Sequence, residues 1–255
     1  MANIAPVERR RKILKQFIDT SQLKGLEIGP YDRPIVLKEM GYIKYLDYFT
    51  KEELIEKAPN TIARVVDEVV DVDFVIRDST IPEKVNEQFD YVVASHVIEH
   101  VPNVIQWLQD LASVLSDKGR IFLAVPDKRY TFDIMRPVTT TGKLIDAFRT
   151  NKTCPSFADV FDTARYHKKV KLAELWQKKC DVNKVPFSRD IHMCMQKARK
   201  AESTYVDCHC NVFTASSFQQ IIGDLFELGL GSFEMETFQD VVKNTNEFVC
   251  ILRKK

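Results

Sequence analysis

The chain has 255 residues, 45% of them apolar and 29% charged, with 37 Lys plus Arg against 36 Asp plus Glu. That length suits one large domain, or a core domain carrying a sizeable insertion, and the apolar share is enough to bury a core. A net charge of +1 leaves no electrostatic footprint for nucleic acid or an anionic membrane, and no uninterrupted apolar stretch reaches the roughly 18 residues of a membrane span.

Arg9, Arg10, Arg11 and Lys12 are not followed by an apolar region and a small-residue cleavage site, so no secretory signal is expected. Together with Ile13, Leu14, Phe17 and Ile18 they predict an amphipathic helix within residues 1–20. Its charges read as a solvated face over a packed stripe, with an active-site lid or a membrane contact as the alternatives. Cys154, Cys180, Cys194, Cys208, Cys210 and Cys250 contain no C-x-x-C pair, which points to reduced thiols and a cytoplasmic setting. Cys180, Cys194, Cys208 and His209 match no common zinc spacing, and the sequence assigns no metal site.

Leu23 to Ile28 is a short apolar run closed by Gly29-Pro30 and predicts a buried strand. Ile43 to Tyr48 predicts a second strand, followed by helix formers from Lys51 to Lys57 that stop at Pro59. Val72 to Ile76 predicts a third strand, ending at Asp78, and Tyr91 to Ala94 a fourth, started by a turn at Phe89-Asp90. Val104, Trp107, Leu108, Leu111, Val114 and Leu115 recur at helical spacing over about Asn103 to Leu115. Arg120 to Val125 predicts a fifth strand. Such alternation implies βαβ units: a Rossmann-like, mostly parallel sheet with helices on both faces.

From 127 to 210 the pattern changes. Prolines and basic residues interrupt it, no strand of convincing length is present, and Leu144 to Phe148 and Val170 to Trp176 look helical. This is a mostly helical insertion after the fifth strand, within a single domain spanning 1–255, and it is the expected acceptor pocket. Regular order returns at Thr214, a helix N-cap, with Phe218, Ile221, Ile222, Leu225 and Phe226 on one face. Phe233 to Phe238 and Phe248 to Leu252 complete a seven-stranded sheet.

Ligands of open α/β sheets bind beyond the carboxyl ends of the strands. Here those ends carry Glu27 and Gly29, Asp47, Asp78, then Ser95 and His96. Glu27 and Asp47 stand 20 positions apart, the separation at which a second-strand carboxylate meets a ribose diol bound over the first turn. The turn itself, Gly29-Pro30-Tyr31-Asp32-Arg33-Pro34, has one glycine, two prolines and an added carboxylate. It is a poor phosphate cradle, which argues against NAD and nucleotide-sugar enzymes. It suits a ligand with an ammonium, a carboxylate and a sulfonium, because Glu27 can attract the cation.

Leu26-Glu27-Ile28-Gly29-Pro30 resembles the first motif of class I S-adenosylmethionine-dependent methyltransferases. Phe89 through Pro102 (Phe-Asp-Tyr-Val-Val-Ala-Ser-His-Val-Ile-Glu-His-Val-Pro) is similar to their fourth-strand motif, and Leu115 through Pro126 to their fifth-strand segment. The departure is that no second and third glycine follow Gly29. A Glu-Ile-Gly-Pro form, a Pro-Asp-Lys-Arg-Tyr-Thr-Phe-Asp string like Pro126 to Asp133, an Arg-Pro like Arg136-Pro137, and a His shortly before Val-Phe-Thr like His209 and Val212-Phe213-Thr214 resemble methyltransferases encoded beside bacterial glycosyltransferases.

The resemblance implies S-adenosyl-L-methionine as cofactor and methyl transfer to a small molecule, with a saccharide or glycosylated metabolite as acceptor. It places Glu27, Gly29 and Pro30 at the methionine end, Asp47 on the ribose, Asp78 with Ser79 at the adenine edge, and Ser95 and His96 beside the sulfonium. A hydroxyl acceptor must lose a proton, and His209 is the first candidate base because it joins the insertion to the last helix; His96 is the second. His100, in the helix-entry turn, reads as packing or capping. Arg129 and Tyr130, just past the fifth strand, are candidate substrate contacts beside the reading of a solvated loop. A natural-product or lipid-intermediate methyltransferase and a catalytically silent nucleoside-binding module are the alternatives.

Overall fold

Runs of β-branched and aromatic residues too short for a helix form the sheet. In the computed structural model, which describes residues 5–58, 64–77 and 79–255, the strands are β1 (Gly25–Ile28), β2 (Ile43–Asp47), β3 (Phe74–Val75), β4 (Phe89–Ser95), β5 (Leu115–Pro126), β6 (Phe233–Gln239) and β7 (Glu247–Lys254). They join in the order β3-β2-β1-β4-β5-β7-β6. All pairings are parallel except those of β7, which runs antiparallel to both neighbours. The expected seven-stranded, mostly parallel sheet is present. Pro59 and Asp78 lie outside the described residues.

The strand ends differ from the sequence reading, and at β4, β5 and β3 the reason is visible. Phe89 and Asp90 belong to β4 rather than to a turn before it, since the Asp90 carboxylate accepts the Lys24 N–H at 2.9 Å while Asp90 N–H bonds back to Lys24 O. β5 starts at Leu115 directly after a helix, and its register with β4 slips between Leu115 and Arg120, where Gly119 and Lys118 (φ 62°) turn the chain. β3 shrinks to two residues because it is an edge strand paired only with Leu46 and Asp47.

The helices are α1 (Pro6–Leu14), α2 (Lys51–Lys57), α3 (Ile81–Lys84), α4 (Val104–Val114), α5 (Thr141–Arg149), α6 (Phe157–Arg165), α7 (Leu172–Trp176), α8 (Ile191–Lys200) and α9 (Ala215–Glu227). On one face of the sheet Leu26, Ile28, Val92, Ala94, Ile121 and Leu123 pack under the apolar stripes of α4 and α9. Each fully buried Leu or Ile there contributes roughly 1.5–3 kcal/mol against an extended reference chain. On the other face Tyr91, Val93, Phe122, Ala124, Val249 and Ile251 meet Ile13, Leu14 and Ile18. Gly25 is demanded by this packing: a Cβ there would lie 2.2 Å from the Tyr91 ring.

The arginines of α1 are not a solvated face. Arg9 and Arg10 are held by the buried Glu247 at the start of β7, and Arg11 donates to the carbonyls of Ile35 at 2.9 Å and Pro34 at 2.7 Å. They pin α1 across the carboxyl edge of the sheet. Among the described residues, no helix is long and apolar enough to cross a membrane.

The segment between β5 and α9 holds α5 to α8 and has a small core of its own, Val160, Ala198, Cys208 and Cys210. All six cysteines are free thiols. Asp159 caps α6 and ties the segment together: it accepts from Ser156 N at 2.9 Å and Lys143 Nζ at 3.1 Å and pairs with Lys152. Burial would raise its pKa, but Lys152, Lys143 and Ser156 outweigh it and hold the carboxyl down at about 2. A depressed carboxyl adds stability above its unfolded pKa and loses it as pH falls through the folded value. Asp159→Asn should therefore cost about 2 kcal/mol at neutral pH. In urea titrations the gap between wild type and variant should close between about pH 4 and pH 2; a gap independent of pH would contradict the assignment.

Candidate active site

Register aligns the carboxyl edge. Ile28 pairs with Leu46 on one side and Ala94 on the other, so Gly29, Asp47 and Ser95 emerge level from three adjacent strands. Gly29 turns the chain at φ +64°, where a Cβ would be strained and would sit 3.2 Å from Val97. Tyr31 follows at φ 52°. Pro30 is buried in this turn.

Glu27 is occupied differently from the sequence reading. Its two oxygens accept the Ile35 and Val36 N–H groups at 2.7 and 2.9 Å, and only 2% of the residue is exposed. Burial pushes its pKa up to about 7 against the lowering by those amides and by Arg11 and Arg10. The carboxylate shapes the loop after β1. Asp32, the added acid of that loop, is likewise spent inside, accepting Val65 N at 2.9 Å and bonding Arg64 at 2.5 Å.

Asp47 is half-buried, and its Oδ1 accepts Phe49 N at 3.1 Å. Burial raises its pKa, the Phe49 and Tyr48 amides and Lys57 oppose the rise, and Asp207 adds to it. Asp207 comes from the chain that crosses this end of the sheet, where Tyr205 stacks on Tyr48 with ring centroids 4.7 Å apart. Ser79 is half-buried beside the Glu83-to-Thr80 cap of α3. Ser95 Oγ is buried without a hydrogen-bond partner.

His96 adopts φ 56°, a left-handed conformation uncommon outside glycine and frequent at functional sites. Its Nε2 lies 2.6 Å from Glu247 and its Nδ1 3.6 Å from Glu99. Glu247, held by His96, Arg9 and Arg10, is kept far below the ordinary carboxylate range despite burial that would raise it.

His209 comes from the far end of the insertion. Asn211 brings it in, donating its backbone N–H to Glu99 O at 2.9 Å and its amide to Val101 O at 2.7 Å. His209 Nδ1 then meets Asp133 at 2.5 Å, and Arg136 bonds the other Asp133 oxygen at 3.0 Å. Burial would raise the Asp133 carboxyl, but His209 and Arg136 hold it below its usual value. A narrow cleft beside this pair is lined by Lys128, Thr131, Asp133, His209 and Asn211. His100 Nδ1 bonds Asp207 at 2.8 Å, and its ring lies 4.7 Å from that of His209. Burial would lower the His100 pKa; Asp207 and Glu99 outweigh it and raise it to about 9. His100 is thus part of the charged cluster, not only a cap.

Arg129 and Tyr130 sit nearby with other partners. Arg129 forks onto Asp127 at 2.9 and 2.7 Å. Tyr130 stacks on Trp176 with centroids 4.1 Å apart. Glu99, Asp133, Asp207 and Glu247 are the groups not assigned from sequence. The one local signal was an acid between two histidine-bearing turns, His96-Val97-Ile98-Glu99-His100.

Residues 5–224 match the family described as "Methyltransferase domain". The chain belongs to that family. It is an S-adenosylmethionine-dependent methyltransferase, and S-adenosyl-L-methionine is its cofactor. Among curated proteins none matches the methyltransferase chain. A solved structure titled a putative Zn-dependent alcohol dehydrogenase from Rhodobacter sphaeroides is 16% identical, with a TM-score of 0.55 over 98% of this chain and 91% of that one; it shares the fold. A putative S-adenosylmethionine dependent methyltransferase from Listeria monocytogenes is 13% identical, TM-score 0.48, over 96% and 98%. An S-adenosylmethionine dependent methyltransferase from Mesorhizobium loti is 11% identical, TM-score 0.47, over 95% and 96%.

The carboxyl edge fits this cofactor. It presents a glycine turn at φ +64°, a half-buried Asp47 and the unpartnered Ser95 hydroxyl, a polar set suited to a nucleoside and an amino-acid moiety.

Proposed function

We propose that the methyltransferase transfers a methyl group to a hydroxyl of a small molecule, a saccharide or glycosylated metabolite, in the cytoplasm. The observation that carries this is the His209–Asp133 pair: an imidazole oriented through Nδ1 by a buried carboxylate keeps Nε2 for an acceptor proton. An amine or thiol acceptor has less need of such a base. Phe132 packs its ring 4.8 Å from His209, an apolar surface suited to the C–H face of a sugar. Six free cysteines favour a reducing compartment.

In this reading Gly29 and Pro30 border the methionine end, with Glu27 fixing the loop that holds it. Asp47 accepts from the ribose hydroxyls, Ser79 borders the adenine, and Ser95 and His96 stand beside the sulfonium. Bound there, S-adenosylmethionine supplies a methyl group on positively charged sulfur. The chain's own work is alignment and exclusion of water, with α1 covering the edge and the insertion holding the acceptor. Arg129 and Tyr130 frame the acceptor side through Asp127 and Trp176.

Label transfer from methyl-labelled cofactor to a panel of free sugars, glycosides and nucleotide sugars tests this reading. An alkali-stable ether on a sugar oxygen is expected; label found only on amines or thiols would overturn it. Asp47→Ala should weaken cofactor binding on the order of 10–100-fold, the loss of hydrogen bonds to a charged acceptor. Calorimetry checks this, and an unchanged dissociation constant would remove Asp47 from the ribose.

A further inference from the structure

Glu99 is 1% exposed, and neither of its carboxylate oxygens has a hydrogen-bond partner. A buried acceptor left so is costly, and an ionised one more so, unless a cation completes it. The groups facing it are imidazoles. His100 Nε2 is 4.0 Å from Glu99 Oε1. One ligand atom each from Glu99, His100 and His209 lies within 4.8 Å of the others.

Both histidines spend Nδ1 on an acid, His100 on Asp207 at 2.8 Å and His209 on Asp133 at 2.5 Å. Their Nε2 atoms are therefore left for the space beside Glu99, where a metal ion would displace any proton they carry. Carboxylates that orient imidazole ligands through the distal nitrogen are the usual outer shell of a metal centre. Two ligands of a tetrahedral ion at about 2.1 Å stand about 3.4 Å apart, so the cluster needs only a modest contraction. Side-chain exposures of 30% and 32% at His96 and His100 leave a route from solvent.

We propose that Glu99, His100 and His209 bind one divalent first-row transition-metal ion of the Zn²⁺, Co²⁺ or Mn²⁺ kind. A two-imidazole, one-carboxylate set suits such ions and leaves coordination positions open. This rests on the methyl-transfer reading of the same edge and changes one role in it. A His209 lone pair that holds a cation does not take a proton; an acceptor hydroxyl in an open position would instead release its proton to solvent at lowered pKa.

Co²⁺ titrated into the full chain after chelator treatment is the probe, followed by its visible absorption and by calorimetry. One ion per chain is expected, with binding lost in Glu99→Gln and in His209→Ala. Asp133→Asn and Asp207→Asn should weaken it about 10–100-fold through the outer shell. Asp207 is exposed, with 61% of its side chain accessible, so that variant carries the comparison if Glu99→Gln does not fold. Titrations that are the same for wild type, Glu99→Gln and Asp207→Asn would overturn the site. Calorimetry of the metal-free chain with S-adenosylmethionine reports separately: cofactor binding without Co²⁺ binding sinks the metal site and leaves methyl transfer standing.

Discussion

Glu247→Ala should destabilise the protein by about 3 kcal/mol and detach α1 from the sheet edge. The carboxylate is 1% exposed and accepts from Arg10 at 2.6 Å, from Arg9, and from His96 at 2.6 Å. Removing it leaves three cationic or polar groups facing each other over a buried gap, which is more costly than the pair was favourable. Arg9 and Arg10 keep side-chain exposures of 19% and 16% and can turn partly to water, so the loss belongs at the low end for a buried pair. Glu247→Gln keeps volume and one acceptor and should lose about half as much. Denaturant midpoints measure the global effect, and amide exchange over 6–18 the local one. If exchange there is unchanged while the midpoint falls, Glu247 stabilises the sheet but does not hold α1.

The strands that were legible in the sequence are those buried on both faces. Val92, Ala94, Ile121 and Leu123 look one way while Tyr91, Val93, Phe122 and Ala124 look the other, so β4 and β5 read as continuous apolar runs. β3 read too long because hydropathy says nothing about how much partner an edge strand has. In the insertion, α8 was missed although Ile191, Cys194, Met195 and Ala198 recur at i, i+3, i+4 and i+7: only the small Cys194 and Ala198 are buried, while Ile191, Met193 and Met195 are exposed, so the stripe lacks the large buried side chains that make α4 stand out. α6 carried a readable cap, Ser156 with Asp159, and an apolar spacing at Phe157, Val160, Phe161 and Ala164.

The strand-end residues were also visible, because the point where an apolar run gives way to a polar residue marks where a side chain reaches the edge. Their partners were not. His96 meets an acid 151 positions away, His100 one 107 away and His209 one 76 away. No local rule spans such distances. The same limit explains Glu27: the sequence shows an acid at a strand end, but only the folded loop shows that its oxygens bind Ile35 and Val36.

His209→Ala should lower the methyl-transfer rate by about 10²–10⁴-fold while leaving the cofactor dissociation constant within a few-fold of wild type. The split follows from position. His209 and Asp133 line the cleft past β5, whereas Gly29, Asp47 and Ser95 stand at the ends of β1, β2 and β4. Asp133→Asn separates orientation from presence: the imidazole remains, but an amide can turn its NH₂ toward Nδ1 and favour the tautomer whose Nε2 carries the proton. A loss approaching that of His209→Ala is then expected, again in kcat. Asp133→Asn also frees Arg136, which bonds the same carboxylate with a side-chain exposure of 5%, so thermal unfolding must be followed alongside. A rate that falls only in step with stability would make the pair a structural tie between the insertion and the sheet. A fall in kcat at unchanged melting temperature and unchanged cofactor affinity places His209 at the reacting oxygen, as base or as metal ligand, and the Co²⁺ titration separates those two roles.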